Sequence, residues 1–270
     1  MLTSHSSAGA RAVACQLLLC CVAGVAFSQD VDRDVLVRSW ERSSAEQKIS
    51  AIIEGFSAES SESRALALSG IARLAIEDRQ LVQQRFPASS IRPFLQDADA
   101  EVVRQAARAY VAISNSDEAA ELEIVAAATS GRSTLRPWEY VRYLRPMGIT
   151  SDAARMWLTS LAQGPVSEDK YSAVEVLVNV RTPPAFLLPH VMELIRSPQY
   201  FCSPNLLNSL PGFGRPAEAY VSELTGLRAK LEAEGKLPVD SRTVVLVTEP
   251  EVALSILDEA IAALSKGIAN

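Results

Sequence analysis

His190 and Glu193 stand three residues apart in Pro189-His190-Val191-Met192-Glu193, a spacing that lets both side chains meet on one helix face. A metal site needs three or four such ligands, and no second histidine or cysteine cluster lies near them in the sequence, so no metal is expected and the histidine reads as satisfied or solvated. Cys202, in Tyr200-Phe201-Cys202-Ser203-Pro204-Asn205, is placed to open a helix, where the N-terminal field lowers a thiol pKa. Catalysis by cysteine also needs a base, and beyond residue 28 only His190 offers an imidazole. The expectation is a buried structural cysteine among aromatics, with an intermolecular disulfide as the alternative. Gly212-Phe213-Gly214 follows Pro211 without the strand-to-helix setting of a phosphate loop and reads as a helix stop and turn. No Gly-x-Ser-x-Gly elbow, Walker motif, zinc-protease helix or calcium loop occurs, so no catalytic residue and no cofactor are expected.

Residues 132–147 have the composition of a binding surface. They hold Arg132, Arg136, Arg142 and Arg145, one acid, Glu139, and three aromatics, Trp138, Tyr140 and Tyr143. At helical spacing Tyr140, Leu144 and Met147 share one face, which groups Trp138, Arg142 and Arg145 on the other. Arginine and tryptophan dominate interface energetics, so Trp138, Arg136, Arg142 and Arg145 are the candidate binding residues, for an acidic peptide or an anionic glycan. The alternative is an arginine–tryptophan stack contributing about 0.5–1 kcal/mol to the fold alone.

These groups sit in a chain of 270 residues with 32 acidic and 26 basic side chains, net charge −6, and 48% apolar residues. That composition supports a sizeable core and excludes disorder, and the acidic balance gives no drive toward nucleic acid or an anionic membrane. Residues 1–28 contain no acid and one basic residue, Arg11, followed by an apolar run over 12–26 and a small-x-small site at Ala26-Phe27-Ser28. This is the pattern of a cleavable secretory signal peptide, with an uncleaved N-terminal anchor as the alternative. Its removal takes Cys15, Cys20 and Cys21 and leaves Cys202 alone, so the exported chain must stand on packing without an intramolecular disulfide. An extracytoplasmic location, periplasmic or secreted, is expected.

The remainder is a succession of amphipathic helical patterns. Val103, Ala106, Ala107, Tyr110 and Ile113 line one face, and the same spacing recurs at Tyr171, Val174, Leu177 and Val178, at Val221, Leu224, Leu227 and Leu231, and at Leu254, Leu257, Ile261 and Leu264. Aligning the patterns places a basic column at Arg64, Arg104, Arg136 and Lys170, with steps of 32 to 40 residues. Partner helices are predicted over 45–56, 91–96, 118–128, 153–163, 186–196 and 217–231. Two helices per unit of this length predict an all-α solenoid in which each unit buries its apolar face on the next.

Residues 91–110, Ile91-Arg92-Pro93-Phe94-Leu95-Gln96-Asp97-Ala98-Asp99-Ala100-Glu101-Val102-Val103-Arg104-Gln105-Ala106-Ala107-Arg108-Ala109-Tyr110, resemble a HEAT repeat of the armadillo-like α-solenoid class. The first helix carries a proline, the turn carries paired aspartates, and the second helix opens Val-Arg-x-Ala-Ala. The resemblance implies a right-handed solenoid over residues 30–268 with four to six repeats, its second helices lining a concave face. It also implies that the basic column is structural and pairs with turn carboxylates: Asp97 or Asp99 with Arg104, Glu168 or Asp169 with Lys170. Residues 235–250 break the repeat, with Val244 to Val247 suited to a short strand or a docked extended segment, before a capping helix over 251–265. The family comparison points to a non-enzymatic extracytoplasmic scaffold for a protein partner. The alternative it leaves open is an enzyme or chromophore-handling protein near Cys202 or Trp138, because some HEAT-like proteins are DNA glycosylases or bilin lyases.

Overall fold

The computed structural model describes residues 40–114, 118–179, 182–235 and 249–268. The expected signal peptide at 1–28, the start of the expected domain and most of the 235–250 insertion, including Val244 to Val247, lie outside the described residues. Among the described residues the chain is all-helical, without a strand. It divides into two compact units, Met1–Ala154 and Arg155–Asn270.

The first unit contains α1 (Ala45–Phe56), α2 (Ser61–Glu77), α3 (Arg79–Arg85), α4 (Ala88–Ile91) continued by a 3₁₀ turn (Arg92–Gln96), α5 (Ala100–Ile113), α6 (Glu118–Thr129), and α7 (Pro137–Leu144) continued by a second 3₁₀ turn (Arg145–Met147). The starts are written locally. Ser44 and Gln47 form a reciprocal capping box on α1, the Ser60 side chain accepts from the Ser63 N–H on α2, and Asp99 accepts from the Glu101 and Val102 N–H groups on α5. Pro137 opens α7 at a position where no N–H is needed.

α2 is the centre of this unit. Ala65 to Ala72, Leu74 and Ala75 are nearly all removed from solvent, because α1 and α5 both pack on this helix. Its alanines with Ser69 and Gly70 let the neighbours approach closely: a side chain added at Gly70 would meet Ile52 Cγ1 at 3.0 Å and Trp40 Cη2 at 3.5 Å. α5 in turn buries Val102, Val103, Ala106, Ala107, Tyr110 and Ile113 and packs on both α2 and α7. α2, α5 and α7 therefore pack one on the next, while α6 packs on the 3₁₀ turn at Arg92–Gln96.

α8 (Asp152–Ala162) spans the division between the units. The second unit continues with α9 (Glu168–Val178), a 3₁₀ turn (Ala185–Leu187) leading into α10 (Leu188–Arg196), α11 (Pro204–Ser209) with a 3₁₀ turn (Leu210–Phe213), α12 (Arg215–Glu218), α13 (Val221–Glu234) and α14 (Pro250–Ile268). Here α9 packs on α11 and α11 on α14. α13 ends at Gly235, whose φ of 60° is left-handed and whose N–H donates to the Leu231 carbonyl. α14 buries Ala253, Leu257, Ala260 and Leu264, a stripe offset from the predicted face, with Leu254 and Ile261 half-buried at its edge.

Candidate functional site

α7 presents the arginine–aromatic cluster. Tyr140, Val141, Leu144 and Met147 are buried, and the Tyr140 hydroxyl is 2.8 Å from Ser133 Oγ. Arg136, Arg142 and Arg145 are exposed and Trp138 is half-buried, with the Arg142 guanidinium 4.3 Å from the centroid of its ring. Arg132, Arg136 and Arg142 have no carboxylate partner among the described residues, unlike Arg64, Arg92 and Arg104, which are all ion-paired.

Glu139, the one acid of this segment, is already committed. Its Oε2 accepts from the Arg136 N–H at 3.0 Å at the start of α7, and its Oε1 takes Arg104 Nη2 of α5 at 3.1 Å. Arg104 also pairs with Glu101 one turn earlier on α5. Tyr143, one turn beyond Glu139, is half-buried against this clasp. Burial pushes its phenol up to about 12, with Arg104 and Arg108 of α5 opposing and Glu139 and Glu101 reinforcing the rise. Arg108 lies one turn past Arg104, exposed and without a carboxylate partner among the described residues. Sequence reading by single helices left Arg108 out of the candidate site, because only the packing of α5 on α7 brings it to the cluster.

The basic column pairs forward, not with the carboxylates of its own turn. Arg64 Nη2 lies 3.4 Å from Asp97 Oδ2, Arg104 reaches Glu139, and Lys170 reaches Glu193 of α10. The expected partners are otherwise engaged: Asp99 caps α5, and Asp97 accepts the Asp99 N–H at 2.9 Å. Arg136 has no ion pair among the described residues, so it stands apart from the column.

In the second unit Lys170 is buried at 2% exposure and donates to the Gly164 carbonyl at 3.0 Å, to His190 Nδ1 at 3.3 Å and to Glu193. All three ammonium protons thus have partners. The Lys170 hydrogen bond holds the Glu193 carboxyl below the usual range, against a smaller opposing effect of burial. His190 and Glu193 meet as their spacing predicts, Nδ1 to Oε2 3.8 Å, but their common partner is an ammonium. Among the described residues no group of three histidine, cysteine or carboxylate side chains is arranged to hold a metal ion.

Cys202 lies just before Ser203, the N-cap of α11, and is fully buried. Tyr200 stacks on Tyr171 with centroids 4.5 Å apart, and the Tyr171 hydroxyl is 3.1 Å from Ser203 Oγ. Burial pushes the thiol up to about 12, which removes the thiolate that nucleophilic chemistry needs. The folded chain from residue 29, which carries Cys202 as its one cysteine, is therefore expected to resist a thiol-disulfide reagent at pH 8 and to react with one equivalent after denaturation in urea. Fast labelling of the folded chain from residue 29 would contradict this burial.

No family model matches the chain, and no curated protein matches it. Among the solved structures that align with it is an engineered protein from a structural-genomics programme, at 15% identity and a TM-score of 0.30 over 98% of this chain and 94% of that one. A likeness that weak leaves the architecture to be read from the packing described above. Among the described residues no helix is long and apolar enough to cross a membrane.

Proposed function

We propose that the protein is a non-enzymatic, exported helical-repeat scaffold of HEAT type that holds a protein partner on the second helices of its first unit. The observation that carries this is the Trp138–Arg142 stack on α7, flanked by exposed Arg132 and Arg136 that have no carboxylate partner among the described residues, in a chain of net charge −6. Exposed cations grouped about a half-buried indole are the composition of an interface anchor.

Two features support the repeat. Second helices stack on second helices within each unit, α2 on α5 on α7 and α9 on α11 on α14. Polar ties between packed helices also recur at similar sequence distances: Lys48 with Glu77 at 29 residues, Arg104 with Glu139 at 35, Arg196 with Glu223 at 27 and Arg228 with Asp258 at 30. Spans of about one helix pair are what stacked units of similar length produce. Export rests on the apolar run over 12–26 and the Ala26-Phe27-Ser28 site.

The test uses the chain from residue 29 as bait in the native extracytoplasmic fraction, beside a Trp138→Ala, Arg142→Glu, Arg145→Glu variant of unchanged helical circular dichroism. A stoichiometric protein retained by the parent and lost by the variant is the expected result. Equal retention by both baits, or by neither, removes the α7 surface from the function.

A further inference from the structure

The α7 cluster continues across α5, and the chemistry of the combined surface selects among anionic partners. The Arg104–Glu139 pair fastens the two helices side by side. One turn beyond it on each helix stand Arg108 of α5 and Arg142 and Tyr143 of α7, and Tyr143 lies within the fields of both Arg104 and Arg108. Arg136 stands at the opening of α7.

This surface is rich in hydrogen-bond donors and poor in acceptors. Guanidinium groups donate only. Between 132 and 147 there is no Asn, Gln or Asp. Glu139 is committed to Arg104 and to the Arg136 N–H, and Ser133 Oγ to Tyr140 and its own loop. On α5, Glu101 is committed to Arg104 and Gln105. A saccharide, unlike a carboxylate, also brings many hydroxyl donors, each of which wants an acceptor once desolvated, and the side chains of this surface offer few that are uncommitted. A carboxylate brings acceptors alone and matches a guanidinium fork with two parallel bonds. One face of the Trp138 ring is also already covered by Arg142, which removes a stacking platform for a sugar ring.

We propose that Arg108 of α5 together with Arg136, Arg142 and Trp138 of α7 forms a docking surface for a carboxylate-rich segment of a protein partner. This rests on the scaffold reading above and narrows its partner from any protein to one presenting clustered Asp and Glu. Arg108 and Arg142 hold separate carboxylates from neighbouring helices, which sets a segment that crosses the helices rather than running along one of them.

The experiment measures binding of the exported chain to three probes by titration calorimetry at low salt: a Glu-rich decapeptide, its Gln-substituted counterpart, and a polyuronate oligosaccharide. The expected result is binding of the Glu peptide alone, weakened by added salt, with Arg108→Ala and Arg142→Ala each lowering affinity about tenfold. Arg92→Ala, which removes a cation paired with Glu123 elsewhere in the same unit, leaves it unchanged. Equal affinity of parent and both variants for the Glu peptide overturns the assignment of these residues. Preference for the polyuronate overturns the carboxylate-peptide assignment while leaving α7 as a binding surface. No binding of any probe, with partner capture still lost in the α7 variant, overturns the acidic segment and leaves the scaffold standing; no binding with capture unaffected overturns both.

Discussion

Glu121→Ala is expected to destabilise the first unit by about 3 kcal/mol, read as a lower urea midpoint at unchanged slope. Glu121 of α6 is fully buried, and its carboxylate accepts from the Thr150 N–H at 2.8 Å, the Thr150 hydroxyl at 2.8 Å and the Ser151 N–H at 2.7 Å. Ser151 then turns its own hydroxyl to the Ala154 N–H, 3.0 Å away, so one carboxylate on α6 fixes the segment from which α8 begins. Removing it takes the acceptor from the buried Ser151 N–H, a loss of roughly 1–3 kcal/mol, and breaks the two hydrogen bonds from Thr150 as well. Glu121→Gln keeps one acceptor oxygen and should cost less than half as much. Burial works to raise the Glu121 pKa, and the Ser151 and Thr150 donors outweigh it, so the folded carboxyl titrates below its ordinary value of 4.5. The stabilisation is therefore fully present above that pH and is lost as pH falls through the folded value. Glu121→Gln should flatten this acid limb of the stability profile; an unchanged limb would show that other carboxylates set it.

The second large effect is expected at the opposite end of the same unit. Trp40 is fully buried against α2, and its Nε1 lies 3.4 Å from Glu77 Oε1, while Lys48 and Arg73 lie 5.2 Å and 6.0 Å from the centroid of its ring. Trp40→Ala removes the largest apolar surface in this corner and opens a cavity beside Ile52 and Gly70, at a cost of about 3–5 kcal/mol. Gly70→Val overfills the same place and should cost about 1–3 kcal/mol, since the added carbons must displace Ile52 and the indole. Thermal unfolding followed by near-ultraviolet circular dichroism checks both. If Gly70→Val is neutral, the approach of α2 to Trp40 is looser than described.

The helices were legible because their signals are local. Ser44 and Gln47 mark the start of α1, paired aspartates mark α5, Pro137 marks α7, and apolar spacing carries each helix between its ends. α3 was not legible, because Arg79-Gln-Leu-Val-Gln-Gln-Arg85 offers a single buried residue, Val82, and no face to count. Glu121 reads in sequence as one more surface acid of an alanine-rich helix, and only the return of the chain at Thr150 makes it a buried pin. The direction of the basic column failed for a related reason: a carboxylate in a turn is as useful to the helix start beside it as to an arginine, and at Asp99 the helix start has it. At the candidate site, α7 was legible as an arginine–aromatic segment, Tyr143 included, whereas Arg108 belongs to it only through the contact of α5 with α7.

The similar length of the polar ties bears on how the chain reaches this state. A tie from Arg104 to Glu139 closes 35 residues and one from Lys170 to Glu193 closes 23, and neither waits for a distant part of the chain to be in place. Loop-closure entropy rises only slowly with length, and low contact order goes with fast folding. Structure can therefore begin wherever a helix pair first closes on its neighbour and spread outward one pair at a time. Under the repeat reading proposed above, such a chain can also gain or lose a whole helix pair in evolution while every remaining tie keeps its span.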